Sequence, residues 1–173
     1  LLYGITSCMD AAVGQVDGMT EIEAYQHAER GGRLPVRVWA TLLGDPGSSI
    51  VEPCHAAGLV TGVGSDMFRI GGVKVFTDGS AGGRTAWMRQ PYVGQPDNFG
   101  VQMLPDARLF ELVDRYTAMG NTMVCHGIGD AAIDQLVRAY ERVRAANPDH
   151  KHRHRIEHCG YVDDAINQRM LKA

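Results

Sequence analysis

Runs rich in β-branched and aliphatic residues alternate along this chain with segments whose apolar side chains recur every three to four positions. This alternation limits the fold more than any other feature. VRVWATLL (36–43), the apolar part of GGVKVFTDGSAGGRTA (72–77), NTMVC (121–125) and HRIEHC (154–159) read as strands. LLYGITSCMD at the start reads as a short strand leading into a loop. Helices are predicted over Thr20–Glu29, with Thr20 as cap and Gly31-Gly32 as terminator, over Ile50–Ala57, and over Asp106–Met119. In the last of these, Leu109, Leu112, Val113 and Tyr116 fall on one face. Asp130 is expected to cap a further helix with Ile133, Leu136, Val137, Tyr140 and Val143 on one side, closed by Asn147-Pro148; Asp163 starts another. Strand and helix alternating at this spacing imply βα units and a parallel sheet, and both a barrel and a doubly wound sheet satisfy that pattern.

Composition narrows the class of function. The 173 residues suffice for one domain with a core, and a net charge of −3 argues against a nucleic-acid partner. No apolar run reaches the ~18 residues of a membrane span, and no signal peptide is visible, so neither a membrane partner nor export is expected. Cys8, Cys54, Cys125 and Cys159 lie far apart with no CxxC spacing, which fits reduced thiols in a cytoplasmic protein. The chain opens abruptly on Leu1 and ends on RMLKA, and reads as an internal fragment of a longer protein.

In both α/β architectures, chemistry sits at the carboxyl ends of the strands. The polar residues there are Lys74 with Asp78, then His126, then His158. Lys74 is the least ordinary, because burying an ammonium is costly unless it is paired or neutralised. Three ways out stay open: an ion pair with Asp78, a depressed pKa as in Schiff-base lysines, or conversion by CO2 to a carbamate anion able to bridge two metals. His126 in VCHGIGD continues the face of Thr122 and Val124; His158 in RHRIEHCG follows Ile156 and precedes Gly160. Each alone is commonly a hydrogen-bonded loop residue; together, on consecutive strand ends, they read as metal ligands. Cys125 and Cys159 should point to the opposite faces and serve packing, and Glu157 should face the helix layer. Residues 79–105 form a loop with five glycines and three prolines, a length that is usually functional or lid-like. Within it Arg84 and Thr85 are placed to meet substrate, Trp87 and Tyr92 either to line an apolar pocket or to pack the loop, and Asp78 and Ser80 to organise it. Gly62-Val63-Gly64 lacks the third glycine of a dinucleotide fingerprint.

The stretches GITS, GGVKVFTDGSAGGRTA, CHGIGDAAID and RHRIEHCG resemble the metal-dependent amidohydrolase superfamily, and within it amidohydrolase family 3, the YtcJ-like and N-substituted formamide deformylase-like proteins. The spacing of 52 residues from Lys74 to His126 and 32 more to His158 is part of the match. The resemblance implies an α/β fold, a partial (β/α)8 TIM barrel of the metal-dependent hydrolase type covering strands two to six. Residues 1–173 would then be a single, truncated barrel domain, with the N- and C-terminal parts of the parent missing. It implies Lys74 as the carboxylated fourth-strand lysine, with His126 and His158 as the fifth- and sixth-strand ligands. These three carry both the metal-binding and the catalytic assignment. The cofactor implied is a divalent metal, with zinc foremost, one or two ions in the complete protein. The implied reaction is hydrolysis of a carbon–nitrogen bond other than a peptide bond, in a small amide, formamide or cyclic amide.

The departures from the family pattern are specific. The family's first-strand HxH pair has no counterpart upstream of Lys74, and its eighth-strand aspartate is absent. HxH occurs only in HKHRHR (150–155), which reads as a solvated basic loop. The fragment alone is therefore expected to be inactive and the parent an enzyme. Two other readings stand beside this one: a Schiff-base lyase or aldolase using Lys74, and a non-catalytic barrel.

Overall fold

The computed structural model describes residues 2–149 and 151–172. Leu1, which opens the first predicted strand, His150, which opens the basic run, and Ala173 lie outside the described residues. Strands and helices alternate without exception: β1 (Ser7–Val13), α1 (Met19–Arg30), β2 (Arg37–Leu43), α2 (Val51–Ala56), β3 (Phe68–Phe76), α3 (Asp106–Ala118), β4 (Met123–Gly127), α4 (Asp130–Ala146), β5 (Arg155–His158) and α5 (Asp164–Lys172). The strands are parallel and follow one another in the order β1-β2-β3-β4-β5. A parallel neighbour requires a crossover, and each intervening helix supplies one. The α/β class expected from the alternation is thus the observed one. No described helix is long and apolar enough to cross a membrane.

The chain divides into two compact units, Leu1–Lys74 with Ala118–Thr122, and Val75–Thr117 with Met123–Ala173. In the first, Val38, Ala40 and Leu42 of β2, Ile70 and Val73 of β3 and Ile22 of α1 are buried. The first strand begins later than its apolar opening suggests and runs to Val13, because Asp10 is satisfied inside it: the Tyr25 hydroxyl donates to its carboxylate at 2.7 Å. Thr20 is not the cap of α1. Gly18 holds that position, and the Glu21 carboxylate instead reaches back to accept from the amides of Gly14, Val16 and Asp17. Strand β3 is longer than predicted. It starts at Phe68 rather than at residue 72: the register steps from Ala40↔Ile70 to Thr41↔Gly72, so Gly71 is absorbed as a bulge.

The second unit is organised on α4, whose Ile133 and Val137 are buried in a cluster with Ile166 of α5. Ile156, Cys159 and Met170 pack against that cluster. Asp130 is the first residue of α4 and not its cap. Gly129 holds the cap in an extended conformation, and the Asp130 carboxylate accepts instead from the Arg89 amide at 2.8 Å. Asp163 does cap α5, accepting from the Ile166 amide at 2.7 Å. Strand β4 is displaced two residues from its predicted place, because Asn121 and Thr122 are engaged beforehand with Thr61. His126 therefore lies within the strand. His154 is not part of a solvated basic loop. Its Nδ1 accepts from the Met123 amide at 3.1 Å, and its ring lies 4.9 Å from that of Tyr140.

A chain of ion pairs fastens the outer helices of this unit. Arg169 of α5 bonds Glu141 and Asp134 of α4, and Arg138 of α4 bonds Asp106 of α3. The Arg169 guanidinium holds the Glu141 carboxyl below the ordinary range, and Arg138 does the same for Asp106. Carboxyls depressed in this way bind protons less readily folded than unfolded. Their stabilisation is complete above about pH 5 and is lost as pH falls through the folded-state values. Arg169→Leu is expected to lower stability near neutrality by about 1 kcal/mol and to flatten the acid limb of the stability–pH curve. Denaturant titrations at a series of pH values check this; an unchanged acid limb would show that the pairing contributes nothing.

Candidate functional site

His126 sits at the carboxyl end of β4, 9% exposed. Its backbone carbonyl accepts from the Thr77 hydroxyl at 2.5 Å, which pins the strand end to the residue following β3. The ring is fixed at one nitrogen. Nε2 lies 2.8 Å from the Gly79 carbonyl oxygen and 3.3 Å from Asp78 Oδ1. A carbonyl only accepts, so Nε2 carries a proton, which in the neutral ring leaves the lone pair to Nδ1.

His158 reaches the same place by a different route. Parallel partners share a face, and β5 pairs Ile156 with Cys125 and Glu157 with His126. Ile156 belongs to the α4–α5 cluster. Glu157 therefore shares the face of His126, where the sequence reading had put it on the helix layer. Simple alternation would send His158 to the helices with Ile156. The backbone prevents this: His158 has φ 69° and Cys159 φ 49°. The Cys159 amide donates to the Glu157 carbonyl at 2.9 Å, closing a three-residue turn of the rare positive-φ kind. The turn swings the His158 ring to 4.5 Å from the His126 ring, edge to face at 70°. Cys159 goes to the helix side and packs, as expected.

A non-glycine residue held at positive φ stores on the order of 1–3 kcal/mol. His158→Gly is expected to raise the melting temperature of the protein slightly, and His158→Ala is not, since alanine keeps the strain and loses the ring. Equal melting temperatures for the two variants would mean that no strain is stored there.

Asp78 is fully buried. Its Oδ2 accepts from the amides of Trp87 and Gly129 at 2.9 and 2.8 Å, and its Oδ1 from the Ile128 amide at 3.1 Å. Three oriented amides stabilise a buried carboxylate and tie the long loop to the β4–α4 turn. These bonds make Asp78 an organiser of the loop, one of the two roles its place in the sequence suggests.

The remaining loop candidates lie as follows. Thr85 is half-buried, and its hydroxyl accepts from the Ser80 amide at 2.9 Å. Arg84 is exposed, with φ 52°. Trp87 is half-buried, its amide on Asp78 and its carbonyl accepting from the Ala131 amide at 3.2 Å. The Tyr92 hydroxyl donates to the Ala86 carbonyl at 2.9 Å, which ties that ring into the loop.

Lys74 belongs to the other unit and is 3% exposed, deep in β3 opposite Leu43 of β2, its carbonyl accepting from the Gly44 amide at 2.8 Å. Among the described residues, no group of three or more His, Cys, Asp or Glu side chains gathers as a metal cage. An imidazole nitrogen that carries no proton is a donor of the kind transition metals accept.

The parallel α/β architecture makes these five βα units part of a (β/α)8 barrel, the fold class of the solved metal-dependent hydrolases that this chain resembles. The chain belongs to the amidohydrolase family, whose model matches residues 2–173. A candidate amidohydrolase, YtcJ of Bacillus subtilis (strain 168), is 29% identical over 156 residues, 90% of this chain and 28% of YtcJ. N-substituted formamide deformylase of Arthrobacter pascens is 26% identical over 173 residues, 98% of this chain and 30% of that enzyme. Protein LONG AFTER FAR-RED 3 of Arabidopsis thaliana is 36% identical over 98 residues, 57% of this chain and 17% of that protein. Among solved structures, an uncharacterized metal-dependent hydrolase from Pyrococcus furiosus superposes with a TM-score of 0.78 at 28% identity, covering 96% of this chain and 32% of its own. The chain thus spans about a third or less of the proteins it matches.

Proposed function

We propose that the protein to which this chain belongs is a metal-dependent hydrolase of carbon–nitrogen bonds in small amides, formamides or cyclic amides, with His126, His158 and a carboxylated Lys74 as metal ligands. One observation carries the reading: two imidazoles meet at the ends of consecutive strands, 4.5 Å apart, one oriented through its Nε2–H and the other by a strained turn. Packing alone needs neither device. The family membership and the hydrolase relatives support it.

A divalent metal, zinc foremost, supplies a water acidified to a pKa of about 7 and a polarised carbonyl. This chain's own residues supply the rest. Gly79 and Asp78 hold the proton of His126 on Nε2 and so present Nδ1 as a donor. The exposed guanidinium of Arg84 and the ring of Trp87, with Thr85 shaping the loop between them, would bind and orient the substrate. A carbamate on Lys74 adds an anionic oxygen ligand, which two neutral imidazoles cannot provide.

The test is metal content. In the whole protein, His126→Ala and His158→Ala are each expected to lower bound metal at least tenfold, with amide hydrolysis falling by ~10³ or more. Wild-type protein that hydrolyses amides while holding no metal and resisting chelators would overturn the reading. Borohydride trapping of a carbonyl substrate on Lys74 would move the assignment to a Schiff-base enzyme.

A further inference from the structure

The buried carboxylate of Asp78 is used four times over. It accepts from the Trp87, Ile128 and Gly129 amides and stands 3.3 Å from His126 Nε2. A loop organiser needs only the amides. The fourth contact has a separate consequence, because a carboxylate facing an imidazole nitrogen requires a proton on that nitrogen.

We propose that Asp78 is a positioning residue that fixes His126 as its Nε2–H tautomer and couples that tautomer to the seating of the loop at Trp87. The Gly79 carbonyl, 2.8 Å from Nε2, is the nearer acceptor, but it belongs to the loop that Asp78 anchors. Asp78 therefore acts twice, once through its own oxygen and once by holding Gly79 where it accepts. The tautomer stands on hydrogen-bond geometry alone; its use, presenting Nδ1 to a metal, rests on the function proposed above.

An asparagine at this position cannot satisfy every partner. Its amide group must face either the Trp87 and Gly129 donors or the Ile128 and His126 donors, and each placement sets donor against donor. On the second placement the imidazole relieves the clash by moving its proton to Nδ1 and accepting at Nε2.

The experiment is long-range 1H–15N correlation spectroscopy of histidine-labelled whole protein, metal-free, at about pH 8, where an ordinary imidazole is neutral. His126 is assigned by the signal lost in His126→Gln. The expected wild-type pattern is a protonated Nε2 and an unprotonated Nδ1. Asp78→Asn is expected to shift the population to the Nδ1–H form or to an even mixture, and to weaken zinc binding about 10- to 100-fold. Asp78→Glu, which keeps the charge, is expected to restore the Nε2–H form if it folds. A wild-type spectrum with Nδ1–H overturns the proposal even if neither variant folds. So does a folded Asp78→Asn protein with an unchanged tautomer, since Gly79 would then suffice. A protein with Nε2–H at His126 that binds no zinc keeps this inference and removes the metal function; one with Nδ1–H that still binds zinc does the reverse.

Discussion

Replacing Gly129 by alanine is expected to destabilise the protein by about 3 kcal/mol or more, among the larger effects a single added methyl produces. A Cβ built at Gly129 would lie 1.9 Å from the Trp87 carbonyl oxygen and 2.4 Å from its carbon. Both are backbone atoms, and neither can swing aside. The Trp87 carbonyl is held by the Ala131 amide and its own amide by Asp78, while the next residues are tied by Arg89 to Asp130 and by Met88 to the Phe99 carbonyl. Relief would require the loop to leave the β4–α4 turn. Gly120→Ala is the control: unlike the extended Gly129 it has a positive φ, 87°, but there is open space around it, and the change should cost only about 1 kcal/mol. Thermal or denaturant unfolding of both variants decides the matter. If Gly129→Ala is no worse than Gly120→Ala, the loop does not rest on that turn, and the bridging role of Asp78 fails with it. If the expected difference appears, the loop of residues 79–105 is a fastened wall of the site, and the sequence's hint of a lid is to be discarded.

How far the sequence could be read depended on which physics set each feature. The alternation of strands and helices was legible because it follows from periodicity, and the buried faces of α3 and α4 fall where 3.6-residue spacing puts them. The caps were less legible. Thr20 and Asp130 are good cap residues by type, but glycines occupy the caps, and at Gly129 that is because Trp87 leaves no room for a side chain. At His158 the local rule of alternation does not hold. Alternation along β5 was used to place it beside Ile156, whereas Ile156 faces the helices and His158 arrives through two left-handed residues. A period-2 rule cannot foresee such a turn, and the same error assigned Glu157 to the wrong face. The signal available was Gly160, which marks an irregular strand end without saying which way it bends. Asp78 was found but under-read: its partners lie 9 to 51 residues away along the chain, beyond any local pattern.

Lys74 is where the sequence asked its sharpest question, and a series of three substitutions answers it. The side chain is 3% exposed in the middle of an apolar strand. If it is a buried structural cation, Lys74→Arg keeps the charge and should retain much of the function, while Lys74→Met removes the charge and should destabilise the protein to the point of unfolding. If it is a carbamate, the ranking changes. Arginine does not form that adduct, so Lys74→Arg should be as inactive as Lys74→Ala, each reduced at least ~10³-fold in kcat/KM with bound metal lost in parallel. Lys74→Met should be equally inactive yet at least as stable as the wild type, because an apolar side chain of similar volume replaces a buried polar one without leaving a cavity. Stability retained or gained with activity lost is the signature of a group kept for chemistry. The opposite pattern, Lys74→Arg active and Lys74→Met unfolded, would make Lys74 part of the scaffold and leave His126 and His158 to find their third ligand elsewhere. Mass spectrometry under native conditions supplies the independent reading: the adduct of one CO2 on the wild-type protein, absent from all three variants.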